Sequence, residues 1–280
     1  MEDIKKVIEA AEVVIITAGA GMGVDSGLPD FRGNEGMWKA YPALGEKKID
    51  FTSIANPKQF KQFPELAWAF YGHRFDTYKS TTPNIGFDIL QEIVKSKKDH
   101  FVVTSNVDGH FQKAGFDSEK VYEVHGRINK LQCTECNASP WDAPDDLKFD
   151  VNVETFSVDK ADMPKCKCGA IARPNIMMFN DFQFNSEETT KQEEAFNKFM
   201  NTYDKDNTKI VIIEIGAGTS IPTIRHIGEH IEEFVGAKLV RINPRESQGP
   251  KGTFSVEMGG VEALIEIMPE NIKKLFFIKP

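Results

Sequence analysis

All four cysteines of this 280-residue chain lie between positions 133 and 168. They read Cys133-x-x-Cys136, then 29 intervening residues, then Cys166-x-Cys168. Two close pairs of thiolates suit a tetrahedral zinc ion with no open coordination position, a structural rather than a catalytic site. Gly169, directly after the second pair, fits a tight knuckle. Four buried thiols without metal are the alternative; a disulfide framework would be spread more widely. A second group of chemical interest is Gly19-Ala20-Gly21-Met22-Gly23, which follows the β-branched run Val13–Thr17. Glycines placed after a strand let the backbone turn tightly and present N–H groups to a pyrophosphate, although the spacing here is not G-x-G-x-x-G and a plain turn would also use them.

These residues need elements to hold them. Ile4, Val7, Ile8 and Ala11 recur at helical spacing before the run Val13–Thr17, which has the composition of a strand buried on both faces. The pattern repeats: a helix through Phe87, Leu90 and Val94, runs at Phe101–Thr104, Val121–Val124 and Ile210–Ile215, a helix through Ile224, Ile227, Ile231 and Phe234, and a run at Leu239–Ile242. Such alternation implies an α/β fold with an open parallel, Rossmann-like sheet and helices on both faces. Two stretches interrupt it, giving three expected parts. Residues 1–33, 87–130 and 206–280 form a dinucleotide-binding domain, 34–86 a helical insert, and 131–205 a small zinc-binding domain. The acidic stretch Glu187–Glu194 reads as a solvated helix face.

In open α/β sheets a ligand sits beyond the carboxyl ends of the strands. Five polar loops follow the expected strands there: the glycine loop, Ser105-Asn106-Val107-Asp108, His125-Gly126, Gly216-Ala217-Gly218-Thr219-Ser220, and Asn243-Pro244. Of the six histidines, only His125 follows a strand into such a loop; surface or packing roles are expected of the others.

The run Ala18-Gly-Ala-Gly-Met-Gly-Val-Asp-Ser-Gly-Leu-Pro-Asp-Phe-Arg-Gly33 closely resembles the nucleotide-binding signature of the sirtuins. Ser105-Asn106-Val107-Asp108-Gly109 with Gln112-Lys113-Ala114-Gly115 resembles their second motif. Val124-His125-Gly126 resembles the third, and Gly218-Thr219-Ser220 and Asn243 are similar to the late motifs. The resemblance covers about residues 10–265 and implies an NAD-dependent protein-lysine deacylase. NAD is then a cosubstrate, with one structural zinc held by Cys133, Cys136, Cys166 and Cys168, and an acylated protein or peptide lysine as partner. It further implies that His125 is the general base, that Asn106 orients the ribose and water, and that Asp108 binds the nicotinamide carboxamide. Phe31 shields the reacting face and Arg32 lies near the phosphates. Gly19, Ala20, Gly21, Asp30, Ser105 and Val107 complete the cofactor contacts, with Gly218, Thr219, Ser220 and Asn243 at the adenosine half. An imidazole titrating near neutrality suits proton transfer from a ribose hydroxyl.

Trp68-Ala-Phe-Tyr71-Gly-His-Arg74 resembles the Tyr-x-x-Arg pair of the subgroup that removes succinyl and malonyl groups. Residues three apart share a helix face, and a guanidinium pairs a carboxylate bidentately. A packing tyrosine beside a solvated arginine is the alternative. Met177 falls in the counterpart of the substrate-clamping strand. Three departures stand out: Ser105 replaces a usual Gln, Ile176-Met-Met-Phe-Asn-Asp181 replaces Val-Val-Trp-Phe-Gly-Glu, and Gly109-His-Phe111 replaces Gly-Leu-His.

With 34 basic and 42 acidic residues the net charge is -8, which argues against a phosphate-backbone binder. No apolar run approaches a membrane span and the start Met1-Glu-Asp-Ile-Lys-Lys lacks a signal-peptide core, so a cytosolic or other reducing compartment is expected and no membrane partner. Two other functions would use the same pocket: an NAD glycohydrolase or ADP-ribosyltransferase, and a non-catalytic NAD sensor. Oligomeric state stays open.

Overall fold

The computed structural model describes residues 1–29, 33–203 and 208–277. Among them are nine strands: β1 (Val13–Ala18), β2 (Asp99–Thr104), β3 (Val121–Glu123), β4 (Gly126–Cys133), β5 (Trp141–Asp142), β6 (Ala172–Ile176), β7 (Ile210–Ile215), β8 (Lys238–Ile242) and β9 (Phe254–Val256). Six form one sheet in the order β3-β2-β1-β7-β8-β9, every pair parallel. The other three form an antiparallel sheet in the order β5-β4-β6.

Strand periodicity sorts the central side chains to two faces. Val14, Ile16 and Ala18 of β1 and Val211, Ile213 and Ile215 of β7 pack with Ile4, Ile8, Leu90 and Leu264, from helices Glu2–Ala10, Ile85–Lys95 and Gly260–Ile267. Val13, Ile15, Ile210 and Ile212 face the other way, against Phe196 and Phe199 of helix Glu187–Met200 and Ile224 and Ile231 of helix Thr223–Val235. Both faces are therefore covered, which is why β1 and β7 consist of continuous buried apolar runs. The register pairs Ala18 with both Thr104 and Ile215, so β1, β2 and β7 end level with one another. Chain order reverses between β1 and β7, and a crevice opens at that switch point.

Packing divides the chain differently from the three spans read in the sequence. The insert and the small sheet share one core, in which Leu44, Trp68 and Phe70 meet Leu131, Phe149, Phe156 and Ala172. Trp68 stacks on Phe149 at 4.7 Å and donates its indole N–H to the Ala172 carbonyl at 3.0 Å. Helix Glu187–Met200 lies inside the expected zinc-binding span, yet its Phe196, Phe199 and Met200 belong to the large sheet's core. Its outer face carries exposed Glu187, Glu193 and Glu194, the solvated face expected.

Candidate active site

The loops after β1 and β7 meet backbone to backbone at the switch point. The Gly19 N–H donates to Ile215 O at 2.9 Å and the Gly21 N–H to Gly216 O at 3.1 Å. A Cβ on Gly21 would fall 2.5 Å from Gly216 Cα, and Gly216 itself holds φ +66°. The sequence suggested glycines that offer their N–H groups to a phosphate. Here the N–H groups of Gly19 and Gly21 are used between the loops, and what the missing side chains provide is close approach of two chains.

A cavity of about 510 Å³ extends from this junction, within the range of about 300–1,000 Å³ common to small-molecule sites. Its walls include Gly19, Ala20, Ser105, Asn106, Val107, Asp108, His125, Gly218 and Ser220, together with Tyr71, Arg74 and Met177. Three other sequence candidates do not face it. Gly21 forms the junction behind the wall. The Thr219 N–H and hydroxyl both donate to the Glu246 carboxylate. Asn243 is fully buried, with its amide donating to Ala217 O at 2.9 Å and its Oδ1 accepting from the N–H groups of Arg245 and Glu246. Asn243 thus shapes the loop that brings Arg245 and Glu246 to the cavity. Asp30, Phe31 and Arg32 lie outside the described residues.

His125 occupies the two-residue turn between β3 and β4. The turn is pinned by Val124 N–H to Thr104 O at 2.9 Å and by Met177 N–H to His125 O at 2.9 Å. Burial lowers the imidazole pKa below its ordinary 6.5, opposed by a backbone hydrogen bond at Ser105. The neutral base form therefore prevails at neutral pH. Asn106 donates its amide to Gly19 O at 3.0 Å, tying the second loop to the glycine loop. Asp108 accepts the His110 N–H at 2.9 Å, and burial raises its carboxyl pKa although His110 and Arg74 oppose the shift. His110 is fully buried against Phe87 with neither ring nitrogen hydrogen-bonded.

Helix Pro64–Ser80 supplies the far end of the cavity. Its spacing puts Tyr71, Arg74 and Tyr78 on one face, and all three line the cavity. The Arg74 guanidinium donates to Tyr78 Oη at 3.1 and 2.8 Å and lies 5.4, 5.5 and 5.3 Å from the Phe70, Tyr71 and Tyr78 rings. This is a buried cation in an aromatic cage. Burial pushes the Tyr71 phenol up to about 12, so it is a neutral donor. Tyr78 was missed in the sequence although it lies one helical turn beyond Arg74. Arg245, Glu246 and Ile221 were missed too, because loop residues carry no periodicity to mark them.

At the distal end of β4 the four cysteine sulfurs lie within 4.8 Å of one another. Cys133 Sγ is 3.6 Å from Cys168 Sγ, and Cys136 Sγ is 3.6 Å from Cys166 Sγ. Zn–S bonds of about 2.3 Å in a tetrahedron set sulfurs about 3.8 Å apart, so the cluster fits zinc. Gly169 holds φ +91° in the knuckle, and Thr134 Oγ1 donates to Ile171 O at 2.7 Å, joining the two halves.

The fold and site define a class: a switch-point crevice on a parallel sheet, walled on one side by the end of β6 in a small sheet that carries a four-cysteine cluster. The Sir2 family matches residues 19–221, and the chain belongs to that family. It is 28% identical over 271 residues to an NAD-dependent protein deacylase of Thermococcus kodakarensis, covering 96% of this chain and 93% of that protein. It is 29% identical over 246 residues to an NAD-dependent protein deacetylase of Bacillus subtilis, covering 87% and 88%. Among solved structures, a Sir2 homolog–NAD complex superposes with a TM-score of 0.72 at 23% identity, covering 98% of this chain and 94% of that one. Among the described residues no helix is long and apolar enough to cross a membrane.

Proposed function

We propose that this chain is an NAD-dependent protein-lysine deacylase. The observation that carries the reading is that His125, Asn106 and Asp108 share one cavity with the glycine junction in a chain of the Sir2 family. Bound NAD would supply the nicotinamide–ribose bond that breaks and the ribose hydroxyls that take the acyl group. His125, neutral at working pH, accepts a ribose hydroxyl proton at its imidazole. Asn106, fixed by Gly19 O, orients the ribose, and half-buried Asp108 meets the nicotinamide amide. Met177 and its neighbours run alongside the substrate peptide, where backbone pairing depends little on side-chain identity. Buried Arg74, lining the cavity beside Tyr71, favours acyl groups ending in a carboxylate, because a planar guanidinium can pair a carboxylate bidentately. Thiolates that hold a metal fit a reducing compartment.

Mass-spectrometric product analysis with NAD and matched acetyl-lysine and succinyl-lysine peptides tests this. Expected are free lysine, nicotinamide and O-acyl-ADP-ribose, all absent with His125→Ala. Nicotinamide and ADP-ribose with unchanged peptide mass would replace the deacylase reading with a glycohydrolase.

A further inference from the structure

Glu123 ends β3 and Arg127 is the second residue of β4, so the two stand two positions either side of His125. Their side chains close the turn between them: Arg127 Nε donates to Glu123 Oε2 at 2.8 Å, with the Glu123 side chain 2% exposed and that of Arg127 19%. The Arg127 chain also lies along the second loop, where a Cβ on Gly109 would come 3.5 Å from Arg127 Cδ. Ile128 N–H donates to Val107 O at 2.9 Å, so the start of β4 runs beside Val107, Asp108 and Gly109. On the other side, the Glu123 N–H donates to Gln192 Oε1 of helix Glu187–Met200 at 3.0 Å.

We infer that the Glu123–Arg127 pair is a clamp across the base of the His125 turn, a positioning device that sets the imidazole against the Asn106–Asp108 loop. The inference rests on the deacylase reading for its effect on rate. A buried ion pair is weak support for stability, since desolvation offsets most of the attraction. Here the balance is less favourable still. The groups that face the Glu123 carboxyl are Arg127 from β4, Asp108 from the loop after β2 and Gln192 from the outer helix, and of these Asp108 opposes its ionisation. What the pair does provide is a fixed width for a turn whose central residue must meet a second loop, and misplacement of about 1 Å at such a site costs about a hundredfold in rate.

The clamp closes with pH. Burial, aided by Asp108 and opposed by Arg127 and Gln192, lifts the Glu123 carboxyl to about 7. Below that pH it is protonated and Arg127 has lost an anionic partner; above it the pair is charged and closed. Rate should therefore rise with pH through about 7, in addition to the deprotonation of His125 at lower pH.

The test compares wild type with Glu123→Gln, Arg127→Met and Arg127→Lys, using pH profiles of nicotinamide release with an acyl-lysine peptide and a histidine-selective NMR titration of His125. Expected is a loss of about tenfold or more in kcat at pH 8 for Glu123→Gln and Arg127→Met, with the rise near pH 7 gone in both. Arg127→Lys, which keeps a cation, should recover part of the rate. In the NMR titration, loosening the turn should move the His125 pKa back toward its ordinary value. If Glu123→Gln does not fold, partly exposed Arg127 carries the test. Folded variants with wild-type kcat, an unaltered pH profile and an unshifted His125 would overturn the clamp. A wild-type chain without turnover would overturn the deacylase reading instead, while the NMR titration still decides the clamp.

Discussion

His125 and Arg74 show how far burial alone sets chemistry. The imidazole is largely withdrawn from water, so its pKa is depressed below the ordinary 6.5 and the base form, needed to accept a proton, is favoured. Protonation removes activity as pH falls through that depressed value, so the acid limb assignable to His125 should have its midpoint below 6.5. A histidine-selective NMR titration of the wild-type chain reads His125 apart from the rise assigned to Glu123; a His125 midpoint at or above 6.5 refutes the assignment. Arg74 stays charged in its cavity wall, where its guanidinium can meet a carboxylate of the substrate. Replacing it in Arg74→Met should lower kcat/KM for succinyl-lysine by about tenfold to a hundredfold, the size of a charge-assisted hydrogen bond of about 1.5–3 kcal/mol. Acetyl-lysine turnover should fall less. Equal losses for both acyl groups would show that Arg74 supports the helix rather than reads the substrate.

At the scale of elements, legibility followed periodicity. The bounds read for β7 match the structure and those for β1 differ by one residue, because buried β-branched runs have no other stable arrangement. β9 was invisible: three residues at a sheet edge, half-exposed and next to a positive-φ glycine at 252, make too short a run to stand out. The stretch Glu187–Glu194 was readable as a solvated helix face, but no local signal says which of two cores the other side of helix Glu187–Met200 joins. Most of the polar rim was legible because strand ends announce it; Asn243 was named there too, but nothing in the sequence shows that its amide turns inward to fold its own loop. The glycine junction is the element most sensitive to change. Gly21→Ala would press a methyl to 2.5 Å from Gly216 Cα, and backbone cannot yield as a side chain does. Overpacking of this kind costs about 1–3 kcal/mol or more. Denaturant unfolding should register that loss, and calorimetry should show weakened NAD binding, whereas Gly27→Ala, where a Cβ meets nothing within 4 Å, should affect stability through its φ +85° alone and leave NAD affinity intact.

Across the whole molecule the two cores meet at β4. This strand begins at the His125 turn, pairs with β6, and ends at Cys133, so one continuous element joins the His125 turn to the cysteine cluster. The large sheet has its own core on both faces and owes nothing to the cysteines. The small sheet has little regular structure beyond β4 and β6, and most of the polypeptide between its cysteine pairs is loop, so a metal ion is what organises that end. Removing it should therefore unfold the knuckle, loosen β4 and free the His125 turn while the parallel sheet survives. Dialysis against a chelator, or Cys136→Ser, is expected to release one zinc per chain and to abolish nicotinamide release. Far-UV circular dichroism should retain most of its helical signal, and re-addition of zinc should restore activity to the chelated wild type. Full activity at zero metal content would show that the shared core of the insert and small sheet, with Trp68 on Phe149 and Ala172, holds β4 in place by packing alone.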